Sequence, residues 1–141
     1  MALTKTAQEV ITRSLRLIRV IGQDESPLST ESDDALIVLN SMLDEWALDP
    51  HLTSSSVSLP AFATLSTSQA LRSAMYSALY YNLAVRLAPE YGVAVATAIE
   101  KQAGALYDLI GRDIANDEIP VADNQVGLLE SRRGNFDITT G

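Results

Sequence analysis

Four stretches of this chain repeat apolar residues every three or four positions, and each is closed by a glycine or a proline. That pattern constrains the fold more than any other feature, because a stripe with helical period must find a partner surface. The first stretch carries Ile11, Leu15 and Ile18 with Val10, Leu17 and Ile21 beside them; it predicts a helix from near Thr4 or Thr6 to Ile21, stopped by Gly22. The second carries Ala35, Leu39, Met42, Leu43 and Trp46. Ser29 or Thr30 is expected to cap it, Glu31, Asp33 and Asp34 suit the positive end of its dipole, and Asp49-Pro50 ends it.

The third is expected to begin near Ser66 or Ser68 and run to Leu87, burying Leu71, Ala74, Met75, Ala78, Leu79 and Leu83 before Pro89. The fourth presents Val95, Ala98, Ile99, Gln102, Leu106, Leu109 and Ile110, and is expected to fade between Gly111 and Asn116. Its alanines allow a neighbouring helix to approach closely. Between the second and third lies a Ser/Thr-rich connection, residues 51–67, with at most a brief strand around Pro60. From Asp117 onward the periodicity is lost. The expectation is an all-α fold: a small bundle of about four helices, residues 1–116, with a long 51–67 connection and an extended C-terminal arm, 117–141, that docks on a partner.

A chain of 141 residues can bury about 68% of its unfolded surface and so hold a real core. With no cysteine it has neither disulfides nor thiolate chemistry. The N-terminal stretch has no basic stub leading into an apolar run, so no signal peptide is expected, and Ala74–Leu87 is too short and too interrupted to span a bilayer. The net charge of −8 disfavours general affinity for nucleic acid or anionic lipid. The charge is also polarised. Residues 1–22 hold Lys5, Arg13, Arg16 and Arg19 against Glu9, whereas residues 23–50 hold eight acids and no Lys or Arg.

Catalytic signals are weak. His51 is the only histidine and reads as a solvated loop residue. The acids Asp33, Asp34, Asp44 and Glu45 could in principle supply a glycosidase pair, but they are adjacent in sequence on a helix and read as a solvated face. No phosphate-binding glycine loop is present; Gly92, Gly104 and Gly111 are spaced for helix ends and packing. No cofactor or metal is expected. Arg13, Arg16 and Arg19 recur every third residue along one side of the first helix. Three readings are open: pairing with the acidic second helix, pairing with another subunit, or contact with phosphate on the inner wall of a ring around DNA. Asn82, where the third stripe nears the core, reads as a hydrogen-bonding link across helices.

Two blocks, "SLRLIRVIGQDESPLSTESDDALIVLNSMLDEWALD" (14–49) and "ALYYNLAVRLAPEYG" (78–92), resemble the head-to-tail adaptor (head-completion, packaged-DNA-stabilising) family of tailed phages, best known from short-tailed phages. The matching positions are Leu15, Leu17, Ile18, Ile21 and Gly22, then Leu39, Asn40, Met42, Leu43, Asp44 and Trp46. The last block adds Tyr81 to Ala84 and Arg86 to Gly92. Many relatives carry a longer, strand-rich insertion where this chain has only His51–Thr67.

The resemblance implies a virion structural protein, built in the host cytoplasm, with no catalysis. It would form a ring of probable twelvefold order under the portal protein, extend the DNA channel without reading sequence, help retain packaged DNA and carry tail, stopper or nozzle proteins. It implies no membrane partner. Some relatives are credited with cell-wall hydrolysis, but no residue here matches a catalytic motif; a peptidoglycan hydrolase and a non-phage helical adaptor are the alternatives. In the arm, Phe136 and Ile138 alternate as in a half-buried strand, after Arg132, Arg133 and a turn-permitting Gly134. That pattern suits strand addition to the portal or a neighbouring subunit.

Overall fold

The structure, a computed structural model, describes residues 2–54 and 58–118. Its elements are β1 (Ala2–Thr6), α1 (Ala7–Leu17), α2 (Ser29–Leu48), the single turn α3 (Pro50–Thr53), β2 (Ser68–Arg72), α4 (Ser73–Leu87), a 3-10 turn (Ala88–Tyr91) and α5 (Thr97–Glu118). The small helical bundle is as expected. Helix α4 lies at its centre, packed against α1, α2 and α5.

Two short strands replace the expected first turns of the first and third helices. β1 and β2 pair antiparallel, Leu3 opposite Leu71 and Thr6 opposite Ser68. Leu71 is buried as expected, but from a strand. A leucine four residues before Met75 satisfies either period, so spacing alone does not separate the two. Thr6 then caps α1 through a capping box: its hydroxyl accepts from the Glu9 amide at 3.1 Å, and Glu9 Oε1 accepts from the Thr6 amide at 2.8 Å. The next two free amides, of Ala7 and Gln8, donate to the carbonyls of Thr67 and Leu65. All three amides that follow the cap are therefore satisfied, two of them by the 51–67 connection.

That connection is more than a spacer. Leu52 and Phe62 are almost fully buried in the common core, and Asn40 Nδ2 holds the Phe62 carbonyl at 3.1 Å. His51 stands on α3 and not in a loop.

Helix α1 ends four residues before the expected stop. Arg19, not Gly22, takes the left-handed conformation, at φ 64°. Its amide donates to Arg16 O and the Val20 amide to Leu15 O, at 3.1 and 3.0 Å, which together make a Schellman motif. Val20 packs against the core to which Leu15 belongs, as the motif's apolar contact requires. Gly22 instead donates its amide to Glu25 Oε1 in the following loop. At the start of α2, Glu31 and not Ser29 or Thr30 supplies the cap, accepting from the Leu28 amide at 2.9 Å.

Helix α5 buries Leu106 and Ile110 as expected and Ala103 besides, whereas Ala98, Gln102 and Leu109 of the expected stripe are exposed, so its inner face is turned only partly from the expected one. The close approach explains the rotation. A Cβ at Gly111 would lie 2.5 Å from His51 Nε2, and Asn82 Nδ2 donates to the Ala103 carbonyl at 3.0 Å. Small residues mark that face better than apolar ones. α5 continues to Glu118, past the expected boundary at 116; the rest of the expected arm, with Arg132, Arg133, Gly134, Phe136 and Ile138, lies outside the described residues.

Two outcomes follow. Phe62→Ala should destabilise the fold by about 3–5 kcal/mol in urea unfolding, the cost of emptying a core aromatic site. Arg19→Gly should stabilise it by about 1 kcal/mol, because glycine carries no left-handed penalty, raising the thermal midpoint by roughly 3 °C in calorimetry.

Candidate functional site

Two surfaces gather the polar side chains. The first runs along α1. Arg13, Arg16, Leu17, Arg19 and Gln23 line a hollow of about 210 Å³, and Lys5, Gln8, Arg13, Arg16 and Tyr76 are among the residues lining an adjoining one of about 270 Å³. The arginine spacing noted in the sequence therefore does bring the three together. Arg19 joins through the left-handed turn and not along the helix.

Lys5, Arg13 and Arg16 are each held by something other than a carboxylate. The Arg13 guanidinium sits 5.1 Å above the Tyr80 ring and Lys5 Nζ sits 5.0 Å from Tyr76. Tyr80 in turn meets Tyr76 edge-on and stacks on Tyr81. Arg16 Nη2 donates to the Glu25 carbonyl at 3.0 Å, while its Nε is buried and makes no hydrogen bond among the described residues. None of the three arginines lies within ion-pair distance of a carboxylate among those residues. Their pairing with the acidic α2 of the same chain is thus not observed. Asp33 and Asp34 are exposed at the start of that helix.

The second surface is a cleft of about 460 Å³ between α2, α4 and α5, lined by Glu45, Asp49, Asn82, Arg86 and Tyr107 among others. Arg86 grips Glu45 with both terminal nitrogens, at 2.7 and 3.2 Å. The hydrogen bond and the charge of Arg86 together hold the Glu45 carboxyl below its usual range. Asp49 accepts from the Tyr107 hydroxyl and, at 3.0 Å, from the His51 amide; these two bonds hold its pKa down as well. Burial, followed by the bond to Asp49, pushes the Tyr107 phenol well above its ordinary value.

His51, half-buried, lies 5.4 Å from the Tyr107 ring and 4.0 Å from Asp108. The sequence reading of a solvated histidine missed this contact because its partners are far away in the chain. Asn82 fulfils its expected role, donating to Ala78 O at 2.9 Å and across to Ala103 O. Among the described residues no three His, Cys, Asp or Glu side chains are grouped to hold a metal ion, and no helix is long and apolar enough to cross a membrane.

Glu45 and Asp49 are thus built to stay ionised, the opposite of what a general acid needs. Instead they tie helices together. Residues 1–123 match the family model described as P22 tail accessory factor. The chain belongs to that family. A tail accessory factor is a structural protein of the phage virion, and that coarse role is this chain's. The match spans every described residue and stops before Arg132. No curated protein matches the chain.

The block "YNLAVRLAPEYG" (81–92), which carried much of the resemblance, has a fold-building task at nearly every position of this tail accessory factor. Leu83, Ala84, Leu87 and Ala88 are core, Asn82 links α4 to α5, Arg86 binds Glu45, Pro89 sits in the 3-10 turn, and Gly92 closes it at φ 69°.

Because Glu45 and Asp49 have lowered folded pKa values, each adds stability that is present above the unfolded carboxylate pKa of about 4 and lost as pH falls through the folded value. Arg86→Met should therefore be less stable than the parent at pH 7, with the gap closing below about pH 4. Thermal unfolding of both proteins from pH 7 to pH 2 checks this.

Proposed function

We propose that this chain is the adaptor between the head and the tail of a phage. Copies of it form a ring, twelvefold in keeping with the portal vertex it serves, which docks beneath the portal once DNA is packaged. The ring lengthens the channel, helps to retain the genome without reading its sequence, and offers its lower rim to tail, stopper or nozzle proteins. It catalyses nothing. The protein is assembled from the host cytoplasm into the virion.

The observation that carries this reading is the family match over residues 1–123, together with the adaptor-like blocks at 14–49 and 78–92. The geometry agrees with it in two ways. Of the acids weighed for a hydrolase, Glu45 is engaged by Arg86 in a tie between helices, and Asp33, Asp34 and Asp44 stand on open surface. The arginines of α1 are left on the surface with no acid of their own chain in reach among the described residues, as suits a subunit made to meet others. The arm residues Arg132, Arg133, Gly134, Phe136 and Ile138 are proposed to dock on the portal or a neighbouring subunit by strand addition.

Electron microscopy of the purified protein mixed with the portal of its phage should show a ring capping the portal. The same protein cut after Glu130 should keep its helical circular dichroism but bind the portal at least tenfold more weakly. Absence of any portal complex with the full chain would defeat the assignment. Full-strength binding by the shortened chain would defeat only the role of the arm.

A further inference from the structure

The charge polarity of this fold specifies how one copy meets the next. We infer that the cleft lined by Arg13, Arg16 and Arg19 receives the acidic N-terminal face of α2, Asp33 and Asp34, from a second copy of this chain. The inference rests on the ring reading above and deepens it by naming the contact between subunits.

Three features of the cleft point to a carboxylate-bearing partner. Three arginines line one hollow of about 210 Å³ with no acid of their own chain in ion-pair range among the described residues. The Arg16 Nε is buried beside it without an acceptor among those residues, a state that an incoming oxygen would relieve. Arg19 occupies a left-handed position at φ 64° where glycine is the ordinary occupant, so backbone strain accompanies the third charge.

The proposed counterpart is complementary in both charge and apolar content. Residues 23–71 contain no lysine or arginine, and Glu31, Asp34 and Glu90 crowd Tyr91 closely enough to push its phenol upward, secondary to burial. Asp33 and Asp34 are exposed, and one turn beyond Asp33 stands Ile37, 66% exposed; Leu28, just before the helix, is 68% exposed. Carboxylates beside exposed apolar side chains form a surface that can bury area as well as pair charge.

The alternative occupant, the phosphates of DNA, brings no apolar side chain beside its charges, whereas an α2 face brings its carboxylates on a rigid helix next to exposed Ile37. Two like patches would repel one another, cleft against cleft and face against face. Only the unlike pairing is attractive, and repeated head to tail it closes into a ring or runs on as a filament.

Sedimentation velocity, with and without portal protein, tests this on four samples. They are the parent chain, Arg13→Glu/Arg19→Glu, Asp33→Lys/Asp34→Lys, and an equimolar mixture of the two variants. All the substituted side chains are exposed, so circular dichroism should show both variants folded. Each variant alone should associate about tenfold more weakly than the parent, or worse. The mixture should recover parental association, because in alternation every cleft again faces an opposite charge.

Parental association by either variant alone, or a mixture no better than its components, overturns the inference and leaves the ring standing. A parent chain that never associates, even with portal, overturns the ring itself. Loss of duplex-DNA binding in Arg13→Glu/Arg19→Glu with association intact would overturn the inference in favour of phosphate. Should the Glu variant unfold, the neutral Arg13→Gln/Arg19→Gln replaces it and must still weaken association severalfold.

Discussion

Helix α4 is the constraint on which the other elements depend. It meets α1, α2, α5 and both strands, so its surface has almost no free side. Its interior turns are filled by Ala78, Leu79, Leu83 and Ala84, all fully buried. Two of the polar residues on this crowded surface, Asn82 and Arg86, are each given a partner on another helix. Asn82 crosses to the α5 backbone, and Arg86 crosses to Glu45 on α2. A side-chain amide buried without those acceptors would cost more than the hydrogen bonds return, so α5 must lie where Asn82 can reach it. The position of α5 in turn sets Tyr107 against Trp46 and Asp49, and so closes the second end of the cleft.

Much of this could be read from residue spacing. The α2 stripe of Ala35, Leu39, Met42, Leu43 and Trp46 is buried throughout, and Asn82 bridges helices as its place in the pattern suggested. What spacing could not give were contacts between residues distant in the chain. β1 and β2 each turn few apolar side chains inward, and neither looks like a strand until the other is beside it. Leu52 stands among polar residues and Phe62 lies in the short run VSLPAFATL, and neither has a period to betray it. On α5 the spacing finds Leu106 and Ile110 but misses Ala103 and Gly111, whose value is smallness and not hydrophobicity.

The candidate surfaces divide along the same line. The arginine cluster was visible because its members are three residues apart, although the turn that carries Arg19 was expected at Gly22. The Glu45–Arg86 and Asp49–Tyr107 pairs join different helices, and nothing in the local pattern announces them. The acids first weighed as catalytic turn out to be divided between helix ties and open surface. The block that carries much of the resemblance, residues 81–92, is likewise mainly a record of folding requirements.

The pairing of β1 with β2 also has a temporal meaning. During synthesis Ala2–Thr6 is made well before Ser68–Arg72, so Leu3 must wait for Leu71, and the opening amides of α1 must wait for Leu65 and Thr67. Until then α1 has its capping box, its Schellman motif and its contacts with α2, and it is too short to be stable by itself. The side of it that α4 covers stays open until Ser73–Leu87 has followed. Folding of this domain therefore includes the late closure of β1 on β2, the kind of long-range contact that slows a small domain more than its size would suggest.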